Sequence, residues 1–194
     1  MGSVSLKYKS KSGNLTAPGD VDPGAMIPIT TTTLSTNTAS VTFSDIPQNY
    51  EHLQLRVMAR ANVLVSVRNI TLQINSDTTN NYYRHYVVGT GASAVAGSDA
   101  GTVMFLGNAT GTDYSSSAFG VSIYDILDYS NTNKYKTVRC IYGQENNTNG
   151  QAAFGSGLWK STNAINSITF TTEGNYSFMQ YSHFALYGIK RAGA

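Results

Sequence analysis

The chain has 194 residues, 41% hydrophobic but only 12% charged, with a net charge of +2. That length suits one domain, and basic residues so few and scattered exclude the electrostatic footprint of a nucleic-acid-binding protein. No apolar run reaches the ~18 residues of a membrane span, and the start lacks a signal-peptide core. No membrane partner is expected, and synthesis in a cytoplasm is. With 18 Gly and 13 Tyr against one Trp, and helix formers scarce, the composition is that of a neutral polar β surface.

Residues 1–26 differ from the rest. Ser, Lys, Gly and Pro dominate, and Ala17-Pro18-Gly19-Asp20 and Asp22-Pro23-Gly24 are successive turn signals. Such a segment cannot bury enough apolar surface to hold itself, so it is expected as an extended arm that docks on a neighbouring subunit. Residues 27–194 are expected as one β-sandwich domain.

In chain order, the pattern predicts an edge-like Thr-rich strand over Ile27–Leu34, a second over Ala39–Ile46, and a loop at Pro47. Two runs then organise the chain, Glu51–Arg60 and Val65–Asn75, read as a hairpin turning near Asn62. Leu53, Leu55, Val57 and Ala59 alternate with polar residues in the first, and Ile70, Leu72 and Ile74 in the second. A period of two puts each aliphatic set on one buried sheet face. A strand over Tyr82–Val88 follows, then a loop over Gly89–Gly101 and a short strand over Thr102–Leu106. Ala118–Leu127 and Lys134–Tyr142 read as a hairpin, and Gln151–Trp159, Ile165–Thr172 and Ser177–Ile189 close the chain. About ten or eleven strands without a helical crossover predict an all-β fold, an antiparallel β-sandwich of jelly-roll kind.

The residue types show no catalytic machinery. His52, His85 and His183 lack zinc-ligand spacing, so no metal is expected. Asp125 and Asp128 are the best carboxylate pair, but three apart on a strand they point to opposite faces. Asp77 with Asn75, Asn80 and Asn81 offers oxygen ligands of calcium type, more simply explained by Asx turns. Cys140 in Val138-Arg139-Cys140-Ile141 reads as a small buried hydrophobe. No enzyme activity and no cofactor are expected. What has binding potential is the aromatic set Tyr82, Tyr83, Tyr86, Tyr124, Tyr129, Tyr135, Trp159, Tyr176 and Tyr181, more rings than the expected core hides. Exposed rings suit protein interfaces first and glycan stacking second.

The string Ile46-Pro47-Gln48-Asn49-Tyr50-Glu51-His52-Leu53-Gln54-Leu55-Arg56 resembles a segment of a family of tailed-bacteriophage virion proteins. So do Asn75-Ser76-Asp77 with Asn81-Tyr82, the run Asp128-Tyr129-Ser130-Asn131-Thr132-Asn133-Lys134, and Gly157-Leu158-Trp159 with Ala164-Ile165-Asn166-Ser167-Ile168. The closing Ser182-His183-Phe184-Ala185-Leu186-Tyr187-Gly188-Ile189 matches as well. The resemblance implies a virion structural protein, foremost a capsid decoration (cement) protein on the head surface. Its expected partner is the major capsid protein, and a homotrimer is expected. Lys7, Tyr8, Lys9, Lys11, Leu15 and Met26 of the arm are the expected partner contacts. The alternative is a receptor- or glycan-binding module of a tail fibre or baseplate, stacking host glycan on exposed Tyr and on Trp159.

Overall fold

The computed structural model describes residues 25–145 and 149–191. These form twelve strands: β1 (Met26–Thr33), β2 (Val41–Phe43), β3 (His52–Ala59), β4 (Val67–Ile74), β5 (Tyr82–Gly89), β6 (Ala94–Gly101), β7 (Met104–Thr110), β8 (Gly120–Ile126), β9 (Lys136–Gln144), β10 (Gln151–Trp159), β11 (Ile168–Thr172) and β12 (His183–Ile189). They build two antiparallel sheets. One has eight strands in the order β1-β12-β3-β8-β9-β10-β5-β6, the other four in the order β2-β11-β4-β7. The chain crosses repeatedly between them, as in a jelly roll, and the fold is an antiparallel β-sandwich.

The aliphatic sets expected on one face are where the period of two put them. Leu53, Leu55 and Ala59 of β3 and Ile70, Leu72 and Ile74 of β4 are fully buried, and Val57 nearly so. Between the sheets sits an aromatic cluster centred on Phe170 of β11. Its ring lies 5.5 Å from Tyr124 of β8, 5.6 Å from Phe184 of β12 and 6.3 Å from Phe43 of β2. Each such fully buried ring contributes about 1.5–3 kcal/mol through area alone.

β3 and β4 are not a hairpin, as the sequence had suggested. β3 pairs with β12 and β8 in the larger sheet, and β4 with β11 and β7 in the smaller. Between them the chain crosses the sandwich, with Arg60 bridging Thr110 and Ala61 bridging Phe178. Two amphipathic strands can bury their apolar sets side by side in one sheet or face to face across a core. Periodicity is the same in both cases.

The expected loop over Gly89–Gly101 contains β6, which pairs with β5 residue for residue from Tyr82↔Gly101 to Gly89↔Ala94. Its sequence, Ala-Val-Ala-Gly-Ser-Asp-Ala-Gly, carries no alternation because it lies at a sheet edge with solvent on both sides. The first boundary also moves. Met26, expected in the arm, pairs with Ile189 as part of β1. β1 is an edge strand, as its Thr-rich sequence suggested.

Several aromatics expected at the surface are buried. Tyr82, Tyr124, Tyr129 and Trp159 are at most 1% exposed. Each buries its ring because its polar atom finds a partner. The Tyr124 hydroxyl donates to Leu106 O at 2.7 Å, the Tyr82 hydroxyl accepts from Ile74 N at 2.9 Å, the Tyr129 hydroxyl donates to Pro47 O, and Trp159 Nε1 donates to Asp77 Oδ2 at 2.7 Å. A two-layer sandwich has more interior than the sequence count of aliphatics implied.

Candidate interaction surface

The polar groups weighed for chemistry have structural partners. Asp125 accepts from Gln54 Nε2 at 2.9 Å across the β3–β8 ladder. Asp128 sits beyond the end of β8 at φ 50° and pairs with Lys134, whose hydrogen bond and charge hold its carboxyl below the usual range. The two carboxylates therefore serve different contacts. Burial would raise the pKa of Asp77, but donors from Thr79, Trp159 and Asn81 outweigh it and hold the carboxyl well below its ordinary value. Its Oδ1 accepts from Thr79 N at 2.9 Å, an Asx turn as expected. Cys140 is fully buried, and burial pushes its thiol pKa well up, so it packs as a hydrophobe.

One cluster escaped the sequence reading. Glu51, His52 and Asp128 bring ligand atoms within 4.8 Å of one another, because β3 begins where its antiparallel neighbour β8 ends. Lys134 and Arg191 already face these carboxylates, Arg191 at 3.5 Å from Glu51, so the charge is compensated within the protein.

The outer face of the larger sheet is different. In an antiparallel sheet with one solvated face, the outward residues are expected to be polar. Here Ile123 of β8 lies opposite Ile141 of β9, Ile141 opposite Phe154 of β10, Phe154 opposite Val87 of β5, and Val87 opposite Ala96 of β6. Ile141 is 66% exposed, Phe154 43% and Val87 45%. Beside this row Met58 of β3 faces Val121 of β8, both nearly half exposed. The register thus aligns apolar side chains into a belt across five adjacent strands. Isolated exposed aliphatics are ordinary, but a contiguous patch marks a surface that meets another apolar surface.

Polar groups border the belt on one side: Arg56 donates to Gln54 Oε1 at 3.0 Å, and Asp125 lies opposite Arg139. At its other end an open groove of about 840 Å³ runs past Met58, Val121, Phe119 and Gly91, Gln144 and Gln151. The Gln144 Oε1 atom is buried without a hydrogen-bond partner among the described residues. The far wall, at Ser117 and Ala118, is pinned from below. The buried Arg60 guanidinium donates to Tyr114 O at 2.8 Å, to Ala118 O at 3.2 Å and to Ser115 O.

Of the residues expected to contact a partner, Lys7, Tyr8, Lys9, Lys11 and Leu15 lie outside the described residues. Met26 lies in β1, its Sδ 3.7 Å from Arg56 Nη2. The exposed rings that remain from the aromatic set are Tyr83, Tyr135, Tyr176 and Tyr181. The sequence reading missed the belt. Its signal was present in β8, β9 and β10, where outward Val121, Ile123, Ile141 and Phe154 stand next to inward Tyr124, Cys140 and Ala153.

No protein-family model matches the chain, and no curated protein matches it. Among solved structures, the galectin LEC-6 from Caenorhabditis elegans aligns over 89% of this chain and 100% of its own, at 9% identity and a TM-score of 0.31. That likeness is too slight to carry an argument.

Proposed function

We propose that this protein is a bacteriophage virion structural protein, a capsid decoration protein that docks on the major capsid protein lattice. The observation that carries the reading is the apolar belt through Ile123, Ile141, Phe154 and Val87 on the outer sheet face. An accessory shell protein works by burying such a face, and its polar side chains are spent on stability. The Asn75 and Lys136 networks fit that pattern, since each ties loops together, and Asp77 ties the turn after β4 to Trp159 of β10. The resemblance of residues 46–56 and of the later segments to tailed-phage virion proteins supports the same class.

In this reading the belt lies against the shell, and the arm reaches a neighbouring capsid subunit or a second copy, with a trimer as the closed arrangement. The glycan-stacking alternative loses Trp159 as a platform, because that ring is 1% exposed and engaged by Asp77.

The test is co-sedimentation with capsids assembled from the parent phage without this protein. Wild-type chain should pellet with the shells, and a double variant Ile141→Asp, Phe154→Asp should stay in the supernatant. Wild-type protein that fails to pellet, or reconstruction density confined to the tail, would overturn the reading.

A further inference from the structure

A sandwich with two open sheets has four edges, and a row of unpaired backbone donors and acceptors at an edge invites another strand. Among the described residues three of these edges are blunted. β1 carries Pro28 and a register shift between Pro28 and Thr30. β2 has three residues. β7 is buried along nearly its whole length. The fourth, β6, is open: eight residues paired to β5 without a register shift, with no Pro and no Lys, and Val95 50% exposed. Its single charge, Asp99, is occupied by Arg84 at 2.7 Å. An edge this long and unguarded is a template for strand addition.

The chain contains a matching strand. In Val4-Ser5-Leu6-Lys7-Tyr8-Lys9-Ser10-Lys11, apolar Val4, Leu6 and Tyr8 alternate with polar residues over the same length of eight. This segment precedes β1, at the opposite edge of the eight-stranded sheet. Reaching its own β6 would span seven strand spacings, about 34 Å. Residues 12–24 extend at most about 45 Å when fully stretched, and Pro18-Gly19 and Pro23-Gly24 interrupt that stretch. A neighbour's edge imposes no such path.

We infer that the open edge of β6 takes up residues Val4–Lys11 of a second copy of this chain as an added strand. Val4, Leu6 and Tyr8 then lie on the outer face beside Ala96 and lengthen the apolar belt, while Lys7 and Lys9 fall on the opposite, solvated side with Asp99. The contact is head-to-tail, arm to edge, so it closes into a ring of copies or runs on as a chain. This names the contact between copies that the decoration reading needs. It is tested on the free protein, so either claim can fail without the other.

The experiment is light scattering on the full chain, whose single-copy mass is 20.8 kDa. Wild type should have a multiple of that mass. Leu6→Pro, which cannot join a ladder, should be a single copy. Backbone donors alternate along a strand, so one of Val95→Pro and Ala96→Pro blocks the outward edge and leaves the β5 pairing intact. That variant should melt like wild type and also be a single copy. Mixing it with Leu6→Pro pairs an intact arm with an intact edge and should yield a two-copy species. A wild-type chain that is a single copy, an assembly that survives Leu6→Pro, or a mixture that stays at single-copy mass would each overturn the inference.

Discussion

Trp159 Nε1 donates to Asp77 Oδ2 at 2.7 Å and so ties β10 of the larger sheet to the turn that leaves β4 of the smaller. The same carboxylate accepts from Asn81 Nδ2 at 3.0 Å and from Thr79. Asp77→Asn removes the charge from all of these bonds and should cost about 1–2 kcal/mol in urea unfolding. Because the folded carboxyl is held well below its unfolded value, its contribution is complete above about pH 4 and fades as pH falls further. The variant should show a shallower loss of stability on acidification than wild type.

The lone tryptophan also reports its own burial. Trp159 should emit as a buried indole and resist quenching by acrylamide, and soluble glycans should leave its fluorescence unchanged, since the ring is 1% exposed. A glycan-dependent quench would restore the stacking alternative.

Single charges placed in the belt separate interface from core. Ile141→Asp should leave stability within about 0.5 kcal/mol of wild type, because the side chain is solvated already. Cys140→Asp, next door but fully buried, should unfold the domain. Thermal melts of the two variants check the alternation directly.

Lys136 is fully buried with its Nζ donating to Asn131 O at 2.6 Å, Lys134 O at 2.9 Å and Thr162 O at 3.1 Å. Burial lowers its pKa, and three carbonyls repay that desolvation by closing two loops over one cation. Lys136→Met fills the space but strands the carbonyls, and should cost about 2 kcal/mol or more by chemical denaturation.

Arg60→Met should loosen the groove wall without touching the belt. The guanidinium satisfies carbonyls of Tyr114, Ser115 and Ala118, so its loss should speed amide hydrogen exchange over residues 112–119. Exchange in β9 and β10 should stay slow.

The alternation in β3 and β4, the hairpin of β8 and β9, the edge position of β1 and the inert Cys140 were all legible in the sequence. Each depends on local spacing, which a single strand carries in itself. Other features were not. β6 has small residues and no period, and it becomes a strand only because β5 presents a matching ladder. Tyr82, Tyr124, Tyr129 and Trp159 read as surface rings because aromatic count does not say which rings will find a hydrogen-bond partner inside.

By itself the sequence determined an all-β chain, the faces of its strands that shun water, and a polar leading segment unlike the rest. Those follow from side-chain period and composition, which need no knowledge of neighbours. Which strand lies beside which was decided only in three dimensions. Register across β8, β9, β10, β5 and β6 is a property of pairs of strands, and it alone lines Ile123, Ile141, Phe154 and Val87 into one belt. Dispersed through the chain, those four residues are unremarkable, and brought into contact they form a surface.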